Sequence, residues 1–165
     1  MTTIYTIGHS RHPAERFVEL LRAQEISVLI DVRSHPASKW APQFGKAALA
    51  QMLAAHAIAY VFLGRELGGR PDGAEFYRSD GGVDYDRRAQ APDFKAGVDR
   101  LVALAQERRA AIMCAEEDPA RCHRRLLVTP ALRHADVTVL DVRGDGRIEP
   151  EDAATLPSPQ LGLFR

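Results

Sequence analysis

Lysine is scarce in this chain. Lys39, Lys46 and Lys95 are the only three among 22 basic residues, and the rest are arginine. An arginine excess of this kind follows from a GC-rich coding sequence, so only a few arginines call for planar recognition of a phosphate or carboxylate. Net charge is missing altogether, with 22 basic against 22 acidic side chains. Without a global positive field, broad nonspecific binding to nucleic acid is not supported. No apolar run approaches the roughly 18–20 residues of a membrane span, which argues against a membrane partner. The start, Met1-Thr2-Thr3, lacks a basic segment of the kind that opens an export signal. Cysteine is limited to Cys114 and Cys122, too few for a disulfide scaffold. Free thiols and a cytoplasmic location are therefore expected. Paired C-x-x-C motifs, internal repeats and low-complexity tracts are also missing.

What remains is an ordinary globular composition, 45% hydrophobic over 165 residues, enough for one domain with its own core. Apolar runs and helical spacings alternate along it. Ile4 to Ile7 is a short β-prone run, closed by Gly8-His9-Ser10. Pro13 opens a helix with Phe17, Leu20 and Leu21 on one face. Ser27 to Val32, SVLIDV, is apolar almost throughout, as a strand covered on both faces is. A loop from Ser34 to Gly45 holds the single Trp40, and a helix follows from Lys46 to His56. Ala59 to Leu63 reads as a third strand. Gly64 to Pro92 reads as a long irregular, glycine-rich lid. Asp93 to Arg108 is a helix, Ala110 to Ala115 a fourth strand. A further helix starts at Pro119 and must kink or split at Pro130. Val137 to Val142 is a fifth strand, Gly144-Asp145-Gly146 a turn, and the tail from about residue 150 is irregular. The alternation predicts a single α/β domain: three layers, Rossmann-like, with a mostly parallel five-stranded sheet. The first strand is not followed by G-x-G-x-x-G, nor by the lysine of a phosphate-binding Walker loop, so the usual dinucleotide signature is missing.

In a parallel sheet every strand's carboxyl end lies on one edge, where α/β proteins bind ligands. Four polar clusters fall there: Gly8-His9-Ser10, Asp31 to His35, Gly64-Arg65-Glu66, and Cys114-Ala115-Glu116. They are expected to share one pocket. Asp31, Cys114, Glu116 and His123 are the candidates for catalysis. His9, Ser10, Arg33, Arg65, Cys122 and Arg124 are the candidates for holding a ligand. Each has a plainer alternative. Cys114 is also a small hydrophobe at a strand end, and Asp31 and Arg33, one pleat apart, can simply pair with each other. Arg121, Arg124 and Arg125 stand at i, i+3 and i+4, where they can grip an anion at a helix start or pair with Glu117 and Asp118. A zinc site from Cys114, Glu116, Cys122 and His123 is conceivable. However, the spacing matches no common zinc module, so no structural metal is expected and the cofactor is left open. The cysteine-to-arginine spacing is one residue too long for the cysteine phosphatase loop, and the intervening acids would repel a phosphate dianion.

TIGHS at 6–10, DVRSHP at 31–36, YVFLGRELGG at 60–69 and CAEEDPARCHR at 114–124 together resemble the family called Domain of Unknown Function 488. The resemblance implies an α/β fold and a site without an established reaction. It also implies that the two cysteines and the following His-Arg are family features, here Cys114, Cys122, His123 and Arg124. Three readings follow. The first is an enzyme acting on a small anionic, phosphate-bearing ligand such as a nucleotide or nucleic-acid end. The second is a binding module without chemistry for such a ligand. The third is a thiol redox or sulfur-transfer protein using Cys114 and Cys122.

Overall fold

A computed structural model describes residues 1–151. Its single sheet has six strands, not the five expected. They are β1 (Thr2–Gly8), β2 (Val28–Asp31), β3 (Ala59–Phe62), β4 (Ala110–Cys114), β5 (Val137–Val142) and β6 (Ile148–Pro150). The order across the sheet is β3-β2-β4-β1-β5-β6. All neighbours are parallel except β6, which pairs antiparallel with β5 through Leu140–Pro150 and Val142–Ile148. The additional strand lies where an irregular tail was expected to begin. It forms because the turn around Gly146, at φ +91°, sends the chain back along β5. The rest of the expected tail lies outside the described residues.

The helices are α1 (Ala14–Ala23), α2 (Lys46–Ala54), α3 (Gly64–Leu67), α4 (Tyr85–Gln90), α5 (Pro92–Glu107) and α6 (Thr129–Ala131). Alternation along the strands splits the core. Ile4, Ile30 and Ile112 join Phe94, Val98 and Leu101 of α5 in one apolar cluster. Tyr5, Leu29 and Met113 join Phe17 and Leu21 of α1 and Leu49 and Leu53 of α2 in the other. Strands covered in this way must be apolar on both sides, which is why β2 and β4 read as unbroken runs. No helix among the described residues is long and apolar enough to cross a membrane.

Two expectations about connections change. Gly64 to Pro92 is not an irregular span: it carries α3, a 3₁₀ turn at Ala74–Phe76, a bridge between Tyr77 and Val83, and α4. Arg88, buried, ties it down by donating to the carbonyls of Arg65 and Glu66 and to both oxygens of Asp93, with Phe76 under its guanidinium. The helix expected from Pro119 is also not continuous. A 3₁₀ turn, Pro119–Arg121, ends at Cys122, whose φ of −117° and ψ of 145° are extended. A π-helical stretch, Arg124–Val128, follows and passes into α6. Pro130 lacks the N–H that an α-helix would offer to the Leu126 carbonyl, and its ring would clash there. The wider π turn accommodates it, and Thr129 closes that turn by donating both its N–H and its hydroxyl to the Arg124 carbonyl.

Candidate functional site

Registry places the expected clusters on one edge. Phe62 faces Asp31, Asp31 and Ile7 both face Met113, and Gly8 faces Cys114. Beyond the strands, His9 and Ser10 donate their N–H groups to the carbonyls of Cys114 and Ala115, each at 2.9 Å. The β3–α3 turn packs in from the side. A methyl on Gly64 would lie 2.0 Å from the Arg33 carbonyl oxygen, and one on Gly69 would lie 2.9 Å from the His123 ring. His123 closes the group by donating Nε2–H to the Val32 carbonyl at 2.9 Å.

Two networks occupy this edge. In the first, Arg33 clasps the buried Asp31 with Nε at 2.9 Å and a terminal nitrogen at 2.8 Å. Tyr60 donates to the same carboxylate at 2.6 Å. The plainer reading of Asp31 and Arg33, an ion pair one pleat apart, is the arrangement present. His9 is stacked on Phe44 and accepts from Arg33 at 3.3 Å, while its Nδ1–H donates to the Ser10 carbonyl at 2.8 Å. Burial, above all, pulls the His9 pKa from 6.5 down to about 4.

That shift sets a pH dependence. The unfolded chain takes up the His9 proton near pH 6.5, whereas the folded protein resists until about pH 4. The stabilising contribution is full above pH 6.5 and drains away as pH falls to 4, by up to about 3 kcal/mol. Asp141 works in the opposite sense, because burial raises its carboxyl to about 6. The clean measurement is therefore the difference between wild type and His9→Gln in urea unfolding at pH 7 and pH 4.5. The gap should shrink on acidification, and a constant gap would refute the assignment.

The second network is built on sulfur. Cys114 and Cys122 are free thiols, each 1% exposed. Their sulfurs and one Glu116 carboxylate oxygen all lie within 4.8 Å of one another. Arg124, 0% exposed, is folded around Cys122. Its Nε and backbone N–H donate to the Cys122 sulfur at 3.3 and 3.4 Å. Its terminal nitrogens donate to Thr6 at 3.1 Å and to the Glu116 carbonyl at 2.6 Å, and one lies 3.6 Å from the Asp141 carboxylate. His123 Nδ1 is 3.7 Å from the same sulfur and donates to it when the ring is protonated. The Cys122 thiol is held well below its ordinary value, first by a hydrogen bond from Cys114, then, against burial, by His123 and Arg124. Burial pushes Cys114 the other way. The Cys114 thiol donates to the Glu116 carboxylate at 3.1 Å, with the Glu116 carbonyl at 3.9 Å and the Cys122 sulfur within 4.8 Å.

The neighbouring acids are engaged elsewhere. Glu117 holds Arg143 through both oxygens at 2.9 Å, and Asp118 caps the 3₁₀ turn by accepting from Ala120. Among the described residues, Cys114, Glu116 and Cys122 gather the donor atoms a soft cation would need. The Arg124 guanidinium, 3.3 Å from the Cys122 sulfur, would compete with any such ion for it. Arg65 is exposed, and Ser10 is half-buried at φ +46°. A groove of about 950 Å³ runs between α4, α5 and Leu126–Arg133. Its rim residue Tyr85 is raised in pKa first by burial and then by the charge of Cys122.

Sequence reasoning missed Thr6, Tyr60 and Asp141. One signal was available: Asp141-Val142-Arg143 repeats the Asp31-Val32-Arg33 triplet at another strand end. No curated protein and no solved structure matches the chain. The sequence model of one family matches residues 13–130, a span that takes in every quoted motif except TIGHS at 6–10. On that match, covering well over half of its length, the chain belongs to the family described as Domain of unknown function DUF488.

Proposed function

We propose that this is a thiol–disulfide exchange protein in which Cys122 is the nucleophile and Cys114 its resolving partner. The observation that carries the reading is the buried Arg124 guanidinium held on the Cys122 sulfur, with the second sulfur within 4.8 Å. A thiolate, not a thiol, is the attacking species, and an adjacent fixed cation favours it. Cys122 attacks one sulfur of a substrate disulfide, whose S–S bond breaks and whose leaving thiolate takes a proton from water. Cys114, deprotonated, then attacks the Cys122 sulfur and expels the second substrate thiol. Two electrons pass from the cysteine pair to the substrate, and an external dithiol restores the pair. A cytoplasmic location suits such a cycle, because thiols there stay reduced. The sheet then acts as the middle layer of a Rossmann-like, three-layer domain that presents both sulfurs at its carboxyl edge. The phosphate-ligand readings, catalytic or not, have fewer free groups to draw on. Arg33 and Arg124 are spent on Asp31, Asp141 and Cys122, which leaves Arg65 and Arg121 at the surface.

The test is alkylation by iodoacetamide between pH 4 and 9, with the modified residue located by mass spectrometry. Cys122 should react at pH 5 within several-fold of its rate at pH 8. An ordinary thiol with a pKa near 8.5 slows by about 10³-fold over that interval. A profile like the ordinary thiol's would overturn the reading. So would one equivalent of zinc in the purified protein that shields both cysteines.

A further inference from the structure

We propose that Glu116 is the base that removes the Cys114 proton in the resolving step. The inference rests on the two-cysteine reading above and deepens it.

Cys114 ends β4 at 1% exposure, so the nearest acceptors for its proton are protein groups. Its nearest acceptor is Glu116 Oε2 at 3.1 Å, with the Glu116 carbonyl at 3.9 Å and the Cys122 sulfur within 4.8 Å. In the resting protein the Cys122 sulfur, within 4.8 Å, competes with the carboxylate for that proton. Once Cys122 has bonded to a substrate sulfur it carries no charge and is a poor acceptor. Among the described residues, the Glu116 carboxylate, 3.1 Å away, is then the anion in contact with the Cys114 thiol. It belongs to an exposed residue, so it has water on its other side. The remaining groups around it do not compete. Glu117 is held by Arg143 and the Gly144 N–H, and Asp118 is turned to Ala120. The Arg124 cation meets Glu116 at the backbone carbonyl, at 2.6 Å, which anchors the residue without taking its carboxylate. His123 contacts the Cys122 sulfur at 3.7 Å and is turned to the Val32 carbonyl at 2.9 Å.

The step balances. The proton passes from Cys114 Sγ to Glu116 Oε2 and on to water. The freed sulfur pair attacks Cys122 Sγ, the mixed disulfide breaks, and the expelled thiolate takes up a proton. A base in contact with a reacting atom contributes roughly 10²–10⁴-fold.

The aromatic disulfide 5,5′-dithiobis(2-nitrobenzoate) separates the two chemical steps. It releases one coloured thiolate when Cys122 attacks and a second when Cys114 resolves the mixed disulfide. In Glu116→Gln the second phase at pH 7 should slow by about 100-fold, and its rate should still be climbing in alkaline solution, because burial holds the Cys114 thiol above its ordinary range. In wild type the second phase should be faster at pH 7 and depend less steeply on pH than in the variant. Glu116→Asp should recover part of the rate, which a structural role for the side chain would not explain. Alkylation of Cys122 at pH 5, run in parallel on the variants, reports whether the nucleophile's surroundings are intact. A second phase with wild-type rate and pH profile in Glu116→Gln overturns the assignment and leaves the two-cysteine reading standing. A wild-type protein that shows no fast first phase overturns both.

Discussion

Arg124→Met is expected to lower the unfolding free energy by about 3–5 kcal/mol, the range for removing one partner of a buried ion pair. The same change should slow Cys122 alkylation at pH 5 by roughly 10-fold, because one of the groups that hold the thiol low is lost while Cys114 and His123 remain. The stability loss comes from what the guanidinium leaves behind. Asp141, buried and already raised to about 6, keeps a hydrogen bond from Thr6 at 2.6 Å and a longer approach from Arg143 at 3.7 Å. The Glu116 carbonyl loses its donor as well. Removing the second charge too should recover part of the deficit, so Arg124→Met with Asp141→Asn should be more stable than Arg124→Met alone. Urea unfolding and pH 5 alkylation on the same preparations measure both effects. A loss below about 1 kcal/mol would mean that the pair is not the keystone of the edge.

The second large effect belongs to Gly8→Ala. A methyl built on Gly8 lies 1.8 Å from the Glu116 carbonyl oxygen and 2.8 Å from the Glu117 Cα, both backbone atoms. No rotamer change can relieve such a contact, so the 116–117 segment must move away from β1. That segment carries the acceptor for Arg124, so overpacking and a lost charge-assisted hydrogen bond add up to at least about 3 kcal/mol. For a chain of this size the melting temperature should fall by roughly 10 °C. Calorimetry on Gly8→Ala decides it, and a melting temperature within a degree or two of wild type would show that the loop yields at little cost.

The strands were legible because a parallel strand covered on both faces has no polar side to show. SVLIDV and AAIMCA announce themselves in that way. β6 was not, since Ile148–Pro150 is three residues long and ends in proline, which ordinarily marks a strand edge. The Asp31–Arg33 clasp was open to inference, because a period of two places both side chains on one side of the chain. Arg124 was harder. In RCHRR nothing distinguishes the arginine that turns into the core from exposed Arg121 and half-buried Arg125. Its counter-charge, Asp141, lies on β5, on the other side of β1 from β4, so the pairing follows from strand order, which local pattern does not encode. The expected helix at Pro119 failed for a related reason. The i, i+3, i+4 arginines fit helical spacing, but Cys122 is extended so that its sulfur meets Cys114 and Arg124, and tertiary demand overrides propensity there.

The position of β4 between β2 and β1 bears on how the protein is made. A ribosome delivers the outer half-sheet, β2 with β3, and the separate β1 well before the strand that joins them. Neither β1 nor β2 has its inner neighbour until residues 110–114 emerge, and β1 gains its second neighbour with residues 137–142. Long-range pairings of this kind are slow to form and leave apolar edges uncovered meanwhile. Cys114 rides on the joining strand itself. The two sulfurs therefore come together in the closing stage of folding, and a nascent chain that stalls before then carries its thiols unguarded by Arg124 or by burial.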